Sequence, residues 1–122
     1  MLVVDDEPLV LRSLARVLGR RWDVVIADGG ERALDILRGD PSFDAIVSDL
    51  MMPGMSGIEL ADCLAAEWPA LRRHTVFMTG GAANPAAAAF LAREDVRFLT
   101  KPIPTATLLD AIESLLGVAQ VT

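Results

Sequence analysis

Six polar residues of this 122-residue chain stand where short apolar runs end, and together their types could support phosphoryl transfer. They are Asp5, Asp6, Asp28, Asp49, Thr79 and Lys101. Carboxylates that are brought close together repel one another and need a proton or a cation. Hard oxygen ligands in an incomplete cage suit Mg²⁺. We therefore expect Asp5, Asp6 and Asp49 to hold Mg²⁺ and to leave coordination positions for an incoming phosphoryl oxygen.

A hydroxyl and an ammonium complete this chemistry. Thr79 and Lys101 could bind the other phosphoryl oxygens, which predicts an electrostatic cradle with Asp49 as the nucleophile. Each residue alone also has an ordinary interpretation: an acidic run in a solvated loop, a turn acid, or the end of a strand. The joint placement of Asp5, Asp6, Asp49, Thr79 and Lys101 after four different apolar runs favours a site.

The elements that would position these residues alternate along the chain. Short apolar runs predict strands over residues 2–4, 24–27, 45–47, 75–78 and 96–99. Helical spacing of apolar residues predicts helices over residues 9–18, 31–37, 57–68, 86–93 and 107–116. The strands are apolar runs without alternation, which indicates burial on both faces, as in a parallel sheet covered by helices. Right-handed crossovers then bring all the carboxyl ends to one edge of the sheet, where ligands of such sheets bind.

Composition excludes several classes of protein. A chain of 122 residues is typical of one domain, and we expect residues 1–122 to form it. Hydrophobic residues make up 52% of the sequence, yet no apolar run is long enough to span a membrane. Acids at positions 5–7 stand where a secretory signal would be apolar. A formal net charge of −6 argues against direct binding of nucleic acid.

Two single residues could suggest other chemistry. Cys63 is the one cysteine, so a disulfide framework is excluded and a reducing, cytoplasmic compartment fits. We interpret Cys63 as a small helix residue rather than a nucleophile. His74 is the one histidine, and we interpret it as a solvated residue before the fourth strand rather than a base.

The residues at the predicted edge carry a resemblance to a known family. The stretches Val3–Glu7, Asp49–Gly57, Met78–Gly80 and Lys101–Pro102 resemble, in order and spacing, the receiver domains of two-component response regulators. The resemblance covers essentially the whole chain. It implies an α/β, flavodoxin-like (βα)₅ fold with a five-stranded parallel sheet of order 2-1-3-4-5 and helices on both faces. It also implies that Asp49 is phosphorylated by a histidine kinase or a histidine phosphotransfer protein.

Further roles follow from the resemblance alone. It implies that the backbone carbonyl of Met51 is a fourth protein ligand of Mg²⁺, and that Thr79 and Phe98 are switch residues. It implies a cis peptide bond between Lys101 and Pro102. Met51 and Gly81 occupy the two positions that would tune the lifetime of the phosphoryl group. No organic cofactor is expected.

Signalling would involve the face formed by the predicted fourth helix, fifth strand and fifth helix (residues 86–93, 96–99 and 107–116). A homodimer through this face is a further expectation. The alternative function is a phosphorylation-independent interaction module with the receiver fold. An aspartyl-phosphate hydrolase is disfavoured, because Met51 stands where such enzymes carry a second acid. We thus expect no turnover enzyme, but a receiver that assists its own phosphorylation and dephosphorylation. The run 77–82 resembles receivers attached to hybrid sensor histidine kinases.

Overall fold

A computed structural model describes residues 1–80 and 84–117 of the chain. Its five strands are β1 (Leu2–Val4), β2 (Val25–Ala27), β3 (Ile46–Asp49), β4 (Thr75–Thr79) and β5 (Arg97–Thr100). All neighbouring strands are parallel, and the order across the sheet is β2-β1-β3-β4-β5. The expected flavodoxin-like order 2-1-3-4-5 is confirmed.

Within the described residues, six helices cover the two faces of the sheet. They are α1 (Pro8–Leu18), α2 (Gly30–Gly39), α3 (Gly57–Glu67), α4 (Pro69–Arg73), α5 (Pro85–Leu91) and α6 (Thr105–Leu116). On one face, Val3 and Val47 pack with apolar side chains of α1 and α6. On the other face, Leu2 and Ile46 pack with α2 and α3, and Phe77 packs with α5. Helices therefore cover both faces of the sheet, as expected. The edge formed by the carboxyl ends of the strands is left available for a functional site.

The short helix α4 is absent from the sequence prediction. The pattern around Pro69 indicates only the end of the preceding helix, which indeed stops at Glu67. In the structure Pro69 also occupies the first turn of a new helix, where its missing N–H costs nothing. The other element bounds differ from the prediction by one or two residues, and β3 extends far enough to include Asp49 itself. The predicted fourth and fifth helices correspond to α5 and α6.

The expectation that every strand is buried on both faces is wrong for the two outer strands. β1, β3 and β4 are buried along their whole length. In β2, however, Val25 and Ile26 are 41% and 46% exposed, and in β5 Phe98 is 40% exposed. An outer strand has a neighbour on one side only and lies at the rim of the helix layers. Apolar composition does not reveal which strand is outermost.

Side-chain caps fix the start of the helices that follow the site. Asn84 caps α5 by accepting a hydrogen bond from the backbone N–H of Ala87 at 2.8 Å. The hydroxyl of Ser56 accepts from the backbone N–H of Glu59, whose side chain accepts in return from the N–H of Ser56. This capping box, which we had not predicted, defines where α3 begins after the β3–α3 turn. Pro104 precedes α6 without any side-chain cap.

The β3–α3 turn needs its glycines for different reasons. Gly54 has a positive φ of 75°, a conformation that L side chains rarely adopt. Gly57 is required for space, because a Cβ there would lie 2.6 Å from the carbonyl oxygen of Asp49 and 2.8 Å from the Cα of Leu50. The backbone N–H of Gly57 also donates to the carbonyl of Leu50 at 2.8 Å. This close approach holds the start of α3 against the end of β3.

Gly57→Ala is therefore expected to destabilise the fold by about 1–3 kcal/mol or more, because overpacking against backbone cannot be relieved by a rotamer change. Gly39→Ala is the matched control, since a Cβ at Gly39 would meet nothing within 4 Å. The measurement is urea unfolding of both variants beside wild type. Equal stability of the two variants would show that the turn relaxes and that Gly57 is not needed for close packing.

Cys63 and His74, the one cysteine and the one histidine of the sequence, lie away from the carboxyl edge. Cys63 is a partly buried free cysteine within α3. His74 follows α4, and its Nδ1 lies 2.8 Å from the carbonyl oxygen of Ala70. Among residues 1–80 and 84–117, no helix combines the length and apolarity that a membrane crossing requires.

Candidate functional site

Three carboxylates meet where the two central strands β1 and β3 end. Asp5 and Asp6 directly follow β1, and Asp49 is the last residue of β3, which pairs with β1. Carboxylate oxygens of the three residues lie within 4.8 Å of one another. Asp5 is fully buried and Asp49 is only 5% exposed, whereas Asp6 is partly exposed. The predicted convergence of Asp5, Asp6 and Asp49 is what the sheet order produces.

The surroundings of Asp5 fit a bound cation. Its Oδ1 accepts a hydrogen bond from the backbone N–H of Glu7 at 2.9 Å. Its Oδ2 is buried and has no hydrogen-bond partner within the described part of the chain. Burial, assisted by the negative charges of Asp49 and Asp6, raises the pKa of Asp5 to about 6 despite the Glu7 hydrogen bond and Lys101. An unpaired buried oxygen on a carboxylate that clusters with two further carboxylates is costly without a positive charge. The donor set therefore suits a hard divalent ion such as Mg²⁺.

The side chain of Lys101 reaches the carboxylate cluster from the β4–β5 side of the sheet. Its Nζ lies 3.1 Å from Oδ1 of Asp49, in an ion pair whose carboxylate is almost buried. Its backbone N–H donates to the carbonyl of Thr79 at 2.7 Å, which fixes the chain just after β5. The peptide bond between Lys101 and Pro102 is cis, as the family resemblance implied.

Thr79 lies beside Asp49 at the end of β4. In the β3–β4 register Asp49 is opposite Met78, so Thr79 is one residue beyond the partner of Asp49. Thr79 is 1% exposed. A Cβ added to the following Gly80 would meet nothing within 4 Å, so this side of the edge has room for a small group. Thr79 at the end of β4 and Lys101 just after β5 thus both lie on the β4 side of Asp49.

Three further residues that the sequence predicted for the site, Met51, Phe98 and Asp28, are not part of the carboxylate cluster. Met51, two residues after Asp49, is 43% exposed at the mouth of the site. Phe98 is on β5, with 40% of its surface exposed. Asp28, which we expected at the same edge, is exposed and is not part of the cluster. It follows the outer strand β2, on the side of β1 away from β3. Gly81 lies outside the described residues.

Ser48 is a site residue that sequence reasoning missed. It is fully buried in β3, and its hydroxyl donates to the carbonyl of Asp49 at 2.9 Å. The backbone N–H of Leu50 donates to the carbonyl of Met78 at 2.9 Å. The carbonyl of Asp49 and the N–H of Leu50 belong to one peptide group, so two hydrogen bonds hold the backbone directly after Asp49. The sequence signal, a serine directly before the acid that ends the strand, has meaning only once β3 is known to be buried.

Because burial raises the pKa of Asp5, the stability of the metal-free protein is expected to depend on pH. Its pKa is about 6 in the folded protein, against an ordinary value of 3.8, so the folded state binds more protons between these values. Without metal, stability therefore falls as the pH rises through this window, by an amount that approaches about 3 kcal/mol above it. Asp5→Asn is expected to stabilise the metal-free protein at about pH 8, and the gain should shrink toward about pH 4.

Urea unfolding in the presence of a chelator measures this effect across the pH range. Asp28→Asn is the control, because Asp28 is exposed and outside the cluster. A stability change for Asp5→Asn that is the same at both ends of the pH range would contradict the assignment of the charge penalty to Asp5.

Comparisons with known proteins agree with this geometry. The family model described as "Response regulator receiver domain" matches residues 1–113. The sensory/regulatory protein RpfC of Xanthomonas campestris pv. campestris is 32% identical over 120 residues, which cover 94% of this chain and 16% of RpfC. The transcriptional regulatory protein FixJ of Bradyrhizobium diazoefficiens is 34% identical over 122 residues, which cover 97% of this chain and 57% of FixJ. The chain therefore spans only part of these relatives.

A solved structure extends the similarity to three dimensions. The signal receiver domain of a signal transduction histidine kinase from Syntrophus aciditrophicus superposes with a TM-score of 0.82 at 27% identity. The match covers 99% of this chain and 92% of that one. The two chains therefore share their overall fold and are similar in length.

Proposed function

Because the chain belongs to the family of response regulator receiver domains of two-component systems, we propose that Asp49 accepts a phosphoryl group from a phosphohistidine donor. One observation carries the proposal. The almost buried carboxylate of Asp49 lies 3.1 Å from the ammonium of Lys101 and within 4.8 Å of two further carboxylates. Such a group is held in place, is charged, and lies at the edge of the sheet that a donor can reach.

In the proposed reaction, a carboxylate oxygen of Asp49 attacks phosphorus in line with the histidine nitrogen. The P–O bond to Asp49 forms, the P–N bond breaks, and the imidazole leaves as a neutral group after taking up a proton. Lys101 exchanges its contact with Asp49 for one with a phosphoryl oxygen, and the hydroxyl of Thr79 donates to another. These contacts stabilise charge that is spread over the phosphoryl oxygens in the transition state.

Magnesium is the proposed cofactor. Asp5, Asp6, Asp49 and the backbone carbonyl of Met51 would hold it, and the unpaired buried oxygen of Asp5 supports this assignment. When bound, Mg²⁺ would neutralise the clustered carboxylates and polarise the phosphoryl group. The chain itself then has to orient Asp49, which Ser48 and the paired β3 and β4 strands do.

The signal would leave the site through a change of conformation. We propose that phosphorylation draws Thr79 toward Asp49 and turns the half-exposed ring of Phe98 inward. The face formed by α5, β5 and α6 would change shape and contact a partner or a second copy of the chain. Exposed Met51 would cover the phosphoryl group without orienting water, since its thioether is only a weak acceptor, and would lengthen the lifetime of the phosphoryl group.

The whole proposal describes a signalling domain rather than a turnover enzyme. Receiver domains of this family are phosphoacceptors, and we propose that this one assists its own phosphorylation and dephosphorylation. The donor would be a histidine kinase or a histidine phosphotransfer domain in the cytoplasm, including the case of a hybrid kinase that carries this receiver. We further propose that residues 1–122 form one domain and that it contacts neither nucleic acid nor membrane.

One experiment distinguishes the proposed phosphoacceptor from the alternative function, an interaction module that does not need phosphorylation. The chain is incubated with acetyl phosphate and Mg²⁺, and its intact mass is measured with and without a chelator. A receiver gains one phosphoryl group per chain, and the gain disappears with the chelator. An unchanged mass under both conditions would favour the interaction module.

A further inference from the structure

The amino-terminal edge of the sheet carries an open cavity of about 850 Å³. It lies where the loops before β3 and β4 meet α4 and the end of α6, so it is at the edge opposite Asp49. A cavity of this size is in the range that binds small molecules. Its lining includes Trp22, Phe43, Trp68, Leu71, Arg73 and His74. We call it the amino-edge cavity.

Aromatic side chains are concentrated in the amino-edge cavity. The chain has two tryptophans, four phenylalanines and no tyrosine, and both tryptophans and one phenylalanine line this cavity. Trp22, Phe43 and Trp68 are each only partly buried. Their rings do not pair with one another or with any other ring of residues 1–80 and 84–117. Part of each ring is therefore available to a flat molecule, for which aromatic rings are favourable partners.

The polar groups of the lining are mainly hydrogen-bond donors. Within the described ranges, the guanidinium of Arg73 has no hydrogen bond or ion pair, and neither indole N–H has a partner. Nδ1 of His74 donates to the carbonyl of Ala70, so Nε2 is the ring nitrogen left for a ligand. Asp44 is the one acid of the lining, and it is exposed, so water and salt screen its repulsion of an anion. The lining thus complements a negatively charged acceptor.

Helix α4 gives the cavity a wall that is fixed from behind. Arg72 is only 6% exposed, and its guanidinium lies 5.6 and 5.9 Å from the ring centroids of Phe77 and Phe90. It also donates to the carbonyl of Asp95 at 3.3 Å. The next residue, Arg73, is exposed and lines the cavity. A wall that is already in place lowers the entropy that is lost when a ligand binds.

We propose that the amino-edge cavity binds a small aromatic carboxylate. Its ring system would pack against the indole rings, and its carboxylate would bind the guanidinium of Arg73. Guanidinium and carboxylate pair through two parallel hydrogen bonds, which orient the ligand as well as hold it. The proposal is independent of the phosphoacceptor function, because the cavity and Asp49 lie at opposite edges of the sheet.

The test is a titration of the unphosphorylated, isotopically labelled chain that is followed by NMR. The two tryptophans give two indole N–H signals, and both belong to residues of the cavity. The probes are naphthoate and indoleacetate. Naphthylmethylamine keeps the flat rings but reverses the charge, whereas cyclohexanecarboxylate keeps the charge but lacks a flat ring.

Two variants complete the experiment. Arg73→Gln removes the cation that would bind the carboxylate. Arg12→Gln is the matched control, because Arg12 is exposed, has no partner among the residues that the structure describes, and is not part of the lining.

We expect at least one of the two aromatic carboxylates to shift both indole signals until the shift saturates. Arg73→Gln should weaken this binding by about tenfold, which is the effect of losing a hydrogen-bonded charge. Arg12→Gln should leave it unchanged. Naphthylmethylamine and cyclohexanecarboxylate should both bind at least about tenfold more weakly than the aromatic carboxylate, since each lacks one of the two features that the cavity complements.

Absence of a saturable shift with both aromatic carboxylates would overturn the proposal. Equal affinity in wild type and Arg73→Gln would also overturn it, as would equal weakening in Arg12→Gln. Naphthylmethylamine that binds as tightly as naphthoate would show adsorption to apolar walls only. If the indole signals moved with protein concentration alone and sedimentation showed a dimer, the cavity would be an interface between copies of the chain, and the proposal would be wrong. None of these outcomes bears on phosphorylation of Asp49.

Discussion

Asp49→Asn is expected to reduce phosphorylation by acetyl phosphate below detection while the fold is retained. The amide has almost the shape of the carboxylate, so the packing around this 5% exposed side chain should be preserved. It lacks the negative charge that makes the carboxylate a nucleophile. It also removes one of three mutually repelling carboxylates, which offsets the lost ion pair with Lys101, so thermal stability without metal should not fall. Intact-mass spectrometry over a time course measures the labelling.

Asp28→Asn is the matched control for this experiment. Asp28 follows a strand at the same edge of the sheet but is exposed and outside the carboxylate cluster. It should be labelled at the wild-type rate. Phosphoryl uptake by Asp49→Asn at the rate of wild type would mean that another residue is the acceptor.

Mg²⁺ is expected to bind the protein in the absence of any phosphoryl group, and Asp6→Ala should weaken this binding by about tenfold or more. Asp6 is the partly exposed member of the cluster and offers a ligand atom within 4.8 Å of those of Asp5 and Asp49. Since ligands must be deprotonated, the affinity should also fall as the pH is lowered toward the pKa of Asp5, which is about 6. Titration calorimetry at several pH values measures both effects.

The control for the metal experiment is Asp28→Ala, which removes an acid from the same edge without touching the cluster. Equal Mg²⁺ affinity in wild type and Asp6→Ala would remove Asp6 from the ligand set. Equal loss of affinity in both variants would show that general negative charge, rather than the cluster, attracts the ion.

The sequence predicted the candidate site well because the site depends on strand ends. Once five apolar runs alternate with helices, parallel topology brings Asp5, Asp6 and Asp49 to one edge, whatever the side-chain details. The order of the strands came from the family resemblance, since the apolar runs are too alike to rank. That order decides which acids become neighbours. It places β1 between β2 and β3, so Asp28 follows a strand that is not a neighbour of β3.

The features that were not predicted depend on contacts between distant parts of the chain. Exposure of Val25 and Ile26 follows from the outer position of β2, which composition alone does not show. Pro69 carries the same local signal whether it ends one helix or begins the next. Ser48 is recognised only when the burial of β3 on both faces is known, because a polar residue in an exposed strand needs no partner.

The central claim is that Asp49, and no other residue, carries the phosphoryl group. Protein treated with acetyl phosphate and Mg²⁺ can be reduced with borohydride, which converts an aspartyl phosphate to homoserine, and then digested and sequenced by mass spectrometry. We expect homoserine at position 49 alone, and none when the chelator is present during phosphorylation. Homoserine at Asp5, Asp6 or Asp28, or phosphate retained on His74, with Asp49 unmodified, would contradict the account.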